Sequence, residues 1–170
     1  MSESVLPDIL KSDLNIVFCG MAAGNKSAEV KEYYAGPGNR FWRVLADTGL
    51  TPELLQPAQF RELLNFGIGL TDVAKYAFGK DADIPSSDRD PRAVRSKILR
   101  YSPKILAFNG KAAAATFYGC RTGVIRYGLQ EAVLGSTSIY VLPSTSGSAN
   151  GYWDVSYWRK LADRFRALAT

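Results

Sequence analysis

The 170-residue chain contains no histidine and only two cysteines, Cys19 and Cys120. Without histidine, every Ser–His or Cys–His nucleophile scheme is excluded, together with the commonest zinc ligand sets. Two thiols cannot build a disulfide framework, a four-thiolate iron–sulfur cluster or a structural zinc site, and a reducing compartment keeps them free. Acid–base chemistry therefore falls to Asp, Glu, Lys, Tyr or water. No run of 18 or more apolar residues occurs, so no membrane span is expected. The opening stretch MSESVLPDILKSD lacks a basic region followed by an apolar one. No secretory signal is expected, and a cytoplasmic location is.

What is present is ordinary for a globular chain, with 46% hydrophobic and 22% charged residues. At this length it predicts one domain spanning 1–170, with 1–13 as a peripheral N-terminal segment. The 21 Lys and Arg exceed the 16 Asp and Glu, for a formal charge of +5. That balance permits a polyanionic partner without requiring one.

LNIVFCG (14–20), IGLTDV (68–73), KILAFN (104–109) and STSIYVLP (136–143) are short apolar or β-branched runs that read as buried strands. Helical patterns separate them. NRFWRVLADTGL (39–50) spaces Phe41, Trp42, Val44 and Leu45 along one face, with Asn39 as N-cap and Gly49 as terminator. AQFRELLNFG (58–67) is a second short helix. DPRAVRSKILRYS (90–102) starts on Asp90–Pro91, and GKAAAATFYG (110–119) stops at Gly119. DVSYWRKLADRFRAL (154–168) presents Val155, Trp158, Leu161, Ala162, Phe165 and Leu168 as one stripe. The alternation predicts an α/β protein with a mainly parallel sheet of about four strands, covered on both faces.

In such sheets the functional cleft lies beyond the carboxyl ends of the strands. GMAAGNKS follows the first strand, Asp72 closes the second, NGK follows the third and PSTSGSAN the fourth. Gly20 and Gly24 let backbone N–H groups converge on a ligand oxygen, although a plain strand-to-helix turn needs the same glycines. The stretch is neither a P-loop nor a GxGxxG fingerprint. Tyr33 and Tyr34, beside a Gly-Pro-Gly bend, either stack on a flat heterocycle or pack on the core. Asp72 is the sole carboxylate at an apolar strand end, and otherwise a cap or surface group. Asn109 carries both donor and acceptor atoms for a base edge, and Asn-Gly is equally a common turn pair. LPSTSGSANGYW offers hydroxyls and backbone freedom suited to a phosphate or a duplex groove.

The segments VFCG (17–20) with Gly24, GPGNRFWRVL (36–45), GLTDVAK (69–75), SPKILAFNGKAA (102–113) and VLPSTSG (141–147) stand in the order and spacing of one family. The chain resembles the uracil-DNA glycosylase superfamily, and within it the mismatch-specific uracil/thymine glycosylases. The likeness runs over residues 14–168. The LPSTS form also resembles a branch acting on hypoxanthine.

The resemblance implies a three-layer α/β/α sandwich. It implies a monofunctional enzyme that hydrolyses the N-glycosidic bond of uracil in DNA after flipping the base into a pocket. No metal, other cofactor or obligate protein partner is implied, and a monomer is expected. By the same resemblance, Gly20, Met21, Ala22, Tyr34 and Ser144 form the base pocket. Residues 146–150 (Ser146, Gly147, Ser148, Ala149, Asn150) form the wedge that fills the vacated stack, and Lys26, Ser27 and Lys111 approach DNA. Asp72 and Asn109 carry the catalysis. Most mismatch-specific relatives have Asn where this chain has Ala22, Pro where it has Ala23, and Asn where it has Ser144. Another branch also lacks the first-motif polar residue and uses Asp and Asn from later motifs, but carries a four-cysteine cluster that two cysteines cannot form. The alternatives are a lesion- or abasic-site-binding protein with little catalysis, a glycosylase for hypoxanthine or another deaminated base, and a nucleotide- or phosphoester-processing α/β enzyme unrelated to DNA repair.

Overall fold

The computed structural model describes residues 3–169. Five strands form one sheet: β1 (Ile16–Gly20), β2 (Ile68–Asp72), β3 (Ile105–Asn109), β4 (Gly128–Leu134) and β5 (Thr137–Leu142), in the order β2-β1-β3-β5-β4. The first three and β5 run parallel, and β4 is antiparallel to β5. The parallel strands β1, β2 and β3 are buried along their whole length, as expected of strands with helices on both faces.

Alternation along each strand sorts the core into two halves. Phe18, Leu70, Ala107 and Tyr140 point to one face, where α2 (Phe41–Asp47) and α5 (Val155–Ala169) supply Phe41, Leu45, Trp158 and Leu161. Cys19, Leu106, Phe108 and Val141 point to the other, against α3 (Pro91–Tyr101) and α4 (Lys111–Tyr118). Phe18 stacks on Trp158 at 5.6 Å and meets Phe41 edge-on at 5.3 Å, the geometries aromatic quadrupoles favour. This is the three-layer arrangement.

Several elements differ from expectation. The sheet has five strands, not four. In β4, GLQEAVL is mostly exposed and bulged between Leu129 and Val133, so an edge strand with helix-forming Gln, Glu and Ala shows no buried-strand pattern. The short α1 (Asn25–Val30) is under two turns and leaves no periodic pattern in the sequence. Residues Pro57–Phe66 form a 3-10 helix. The N-cap of α2 is Arg40; Asn39 instead accepts a hydrogen bond from the Phe41 N–H at 3.0 Å. Asp90 caps α3 by accepting from Ala93 N–H at 3.0 Å.

The N-terminal segment is more deeply engaged than a peripheral position implies. Ile9 and Leu70 exchange two backbone hydrogen bonds of 2.9 Å along the β2 edge, and Leu6 is buried in the core. Gly69 permits this, because a Cβ there would lie 2.6 Å from the Ile9 carbonyl oxygen. Among the described residues no helix is long and apolar enough to cross a membrane.

Candidate active site

The strand register brings the carboxyl ends together. Gly20 of β1 pairs with Asp72 of β2, and the β1–β3 register continued by one residue places Asn109 on its other side. All three share parity with Phe18, Leu70 and Ala107, so Asp72 and Asn109 emerge on the α2/α5 face, either side of a residue with no side chain. The space over Gly20 is then filled by its neighbours: a Cβ there would meet Asp72 Oδ1 at 2.9 Å and the Tyr34 hydroxyl at 3.2 Å.

Asp72 is 4% exposed, which is neither a helix cap nor a surface residue. Burial pushes its carboxyl from the ordinary 3.8 up to about 6, against the pull of the Lys75 charge; Asp8 and Asp81 add to the rise. Tyr34 stacks on Phe41 with ring centroids 4.0 Å apart, while the rest of its ring lines the cleft. Its backbone sits in the left-handed region at φ 52°, an uncommon conformation for a bulky residue that costs roughly 1–3 kcal/mol. The hydroxyl is buried and makes no hydrogen bond; Asn109 faces it without closing one. Burial, then the Asp72 charge, push this phenol well up, so it stays protonated. Tyr33, by contrast, is a core residue. Both tyrosines thus pack on the core while bordering the cleft, Tyr33 more deeply.

Two loops close over this centre, and buried indole N–H groups hold them in place. Trp42 Nε1 donates to the Tyr33 carbonyl at 3.0 Å, and Trp158 Nε1 to the Pro143 carbonyl at 3.1 Å. Asn109 donates from Nδ2 to Thr145 Oγ1 at 2.9 Å, and its Oδ1 accepts from Thr145 N–H at 3.0 Å. The Arg40 N–H then donates to the Thr145 carbonyl at 2.8 Å. The Asn109 carboxamide therefore clamps the 144–148 loop and retains one N–H and one lone pair for anything else. Asn109→Ala strands buried Thr145 and is expected to destabilise the fold by roughly 1–3 kcal/mol, read as a lowered urea midpoint. An unchanged midpoint would mean the clamp is dispensable.

The turn at 20–24 is propped by the segment that follows β2: Val73, Ala74 and Gly79 N–H groups donate to the carbonyls of Gly20, Met21 and Ala23 at 2.7–2.9 Å. Met21 and Ala22 line the cleft with apolar side chains, beside Ser144. The cleft has a volume of about 950 Å³. Lys26, Lys80 and Lys111 bring positive charge to it, and Ser146, Gly147, Ser148 and Ala149 form part of its rim.

Two of the expected DNA contacts already hold hydrogen bonds within the protein, and of these Ser27 lines the cleft while Asn150 does not. Ser27 is buried, with Oγ accepting from the Ala35 N–H at 2.9 Å. Asn150 Oδ1 accepts from Arg40 Nη1 at 2.5 Å and lies outside the cleft lining, while Tyr152, 75% exposed, stands on the rim. Sequence reasoning missed Tyr152 and Tyr127. It also missed the 79–82 wall and the Asp8–Lys75 pair behind Asp72. A tyrosine just beyond a glycine-rich loop was the one readable signal among them.

A model of the uracil DNA glycosylase superfamily matches residues 7–164. The chain belongs to the uracil DNA glycosylase superfamily. Membership makes it a DNA glycosylase, a hydrolase that acts on DNA. A solution NMR structure from Methanosarcina acetivorans, described as a "putative Uracil DNA glycosylase", shares the fold with a TM-score of 0.66. The two are 22% identical, over 95% of this chain and 96% of that one. Ala22 and Ser144 both lie in the cleft lining.

Proposed function

We propose that this DNA glycosylase hydrolyses the N-glycosidic bond of uracil in DNA, acting as a monofunctional enzyme on a base flipped out of the helix. The observation that carries the reading is the convergence of a buried carboxylate (Asp72) and an unpartnered buried hydroxyl (Tyr34) over Gly20, in one cleft at the carboxyl edge of the sheet. Extrusion costs a few kcal/mol, least for a mispaired base. Stacking on Tyr34 returns roughly 1–3 kcal/mol.

In this reading the bond from C1′ to the base nitrogen breaks with its electron pair leaving on the base. Main-chain N–H groups of the 20–24 turn receive the developing negative charge, a kind of donor worth roughly 10²–10³ in rate each. No side chain is needed there, and the small alanines let base and backbone approach closely. Asp72, ionised above about pH 6, faces the electron-poor sugar and takes a proton from the water that attacks C1′. The departing base is protonated by solvent. Asn109 holds the 144–148 loop against the base and keeps one N–H for the water or the base edge. Lys26 and Lys111 meet phosphates at the cleft mouth, and the rim from Ser146 to Ala149, with Tyr152, enters the vacated stack.

The test is incubation of the protein with oligonucleotides bearing uracil, hypoxanthine, xanthine or thymine opposite guanine, followed by alkaline cleavage of abasic sites. Alkali-labile product from the uracil strand is the expected result. Tight abasic-site binding with no product from any strand would identify a lesion-binding protein instead. Hypoxanthine is the second substrate to test, on the LPSTS segment alone, and product from it alone would reassign the specificity.

A further inference from the structure

We propose that Asp8, carried by the N-terminal segment, is a positioning residue for the reaction: it occupies Lys75, which would otherwise pair with Asp72. The proposal rests on the reading of Asp72 as the catalytic carboxylate.

Lys75 lies three residues beyond Asp72 and is only 9% exposed. A buried ammonium demands an anion, because leaving it unpaired costs several kcal/mol. Its partner is Asp8, with Nζ to Oδ1 at 2.9 Å, and Nζ also donates to the Tyr33 hydroxyl at 3.1 Å. Asp8 Oδ1 further accepts from Thr71 Oγ1 at 2.7 Å, and Oδ2 pairs with Lys97 Nζ at 2.6 Å. The Tyr33 hydroxyl donates onward to the Pro7 carbonyl at 2.8 Å. One carboxylate thus touches the residue before Asp72 directly and, through Lys75, the residue before Tyr34.

The surrounding backbone fixes this arrangement. Val5 N–H donates to the Lys75 carbonyl at 2.7 Å, and the Ile9–Leu70 bridge holds the segment on β2. Burial works against Asp8's ionisation, but the Lys75 charge and the hydrogen bonds from Lys97 and Thr71 outweigh it and keep the carboxyl below its usual range. Without Asp8, Lys75 loses its anion, and in this proposal it turns to Asp72, three residues before it and already under its charge. Pairing with Lys75 would make Asp72 a weaker base toward water.

The groups that act on Asp72 come from each element around it. Lys75 and, from α3, Lys97 favour its ionised form; Asp8 and, from the cleft wall, Asp81 oppose it. Tyr33 and Tyr34 on its own face, and Cys19 of β1 from the other face of the sheet, are within its electrostatic reach, and burial pushes all three up so that they remain neutral. Removing one member of the pair or the other should therefore move Asp72 in opposite directions. Loss of a merely structural contact has no such sign.

The experiment follows the Asp72 carboxyl by ¹³C NMR titration, alongside single-turnover excision against pH, in wild type, Asp8→Asn and Lys75→Met. In Asp8→Asn the midpoint is expected to fall, and in Lys75→Met to rise, each by roughly half a pH unit or more. In Asp8→Asn the maximal rate should also drop, as Lys75 turns to Asp72. Asp8→Glu, which keeps the charge, should restore both. Lys97→Met removes charge at the partly exposed end of the network and should raise the midpoint, which keeps the test decisive if Lys75→Met fails to fold. Shifts of the same sign in Asp8→Asn and Lys97→Met, or no shift, overturn the proposal. The titration needs no turnover, so a protein that excises nothing counts against uracil hydrolysis while the NMR midpoints still decide the network.

Discussion

Asp72→Asn is expected to slow single-turnover excision of uracil by at least ~10-fold while affinity for an abasic-site duplex persists. The same substitution is expected to stabilise the fold at neutral pH. The carboxyl titrates at about 6 in the folded protein against an ordinary 3.8, because burial penalises its charge. That difference corresponds to on the order of 3 kcal/mol once the group is ionised. The sign follows from proton binding: between the two values the native state holds the proton more tightly than the unfolded chain, so wild-type stability falls as pH rises. The penalty is absent below about pH 4 and complete above about pH 6. Asparagine carries no charge, so its advantage should appear in urea melts at pH 8 and vanish at pH 4. The wild-type rate should climb through about pH 6 as Asp72 ionises. A variant with the wild-type rate would remove Asp72 from the chemistry; a stabilised, inactive one is the pairing expected where a site keeps a charge for function.

Gly20→Ala should have an effect of similar size for a different reason. Gly20 is not among the positive-φ residues, so alanine fits the backbone without strain. The cost is steric, since the new methyl would sit 2.9 Å from Asp72 Oδ1 and 3.2 Å from the Tyr34 hydroxyl. Neither atom belongs to a loose surface chain, so carboxylate and phenol must both shift. Misplacement of reacting groups by about 1 Å can cost roughly 100-fold, and we expect a loss of that order with the urea midpoint little changed. Excision at the wild-type rate would show that the carboxylate need not lie where it does. A collapse of stability alongside activity would assign Gly20 to packing.

The predicted strands are those whose residues alternate between two covered faces. LNIVFCG, IGLTDV and KILAFN could be read because continuous burial and glycine or polar stops leave a clear linear trace. The α5 stripe was legible for the same reason, with Trp158, Leu161, Ala162 and Phe165 all buried. Strand β4 was not, because an exposed edge strand is under little compositional demand. The shared edge of Asp72 and Asn109 could be anticipated from strand ends alone, since a parallel sheet delivers all its carboxyl termini to one edge; Tyr34, on a loop, was placed there only by the family resemblance.

Which atoms those residues have to spare was beyond a linear reading. Asn109 is a clamp because Thr145, 36 residues later, arrives beside it. Ser27 lines the cleft while its Oγ accepts from the Ala35 N–H, and Asp8 meets Lys75 from a segment far earlier in the chain. Chain order by itself determined the layers, the cleft edge and the residue types available there, because local periodicity and strand direction dictate them. Only tertiary structure decided which polar groups are already satisfied and which carboxylate is buried, because hydrogen bonding and desolvation depend on neighbours distant in sequence.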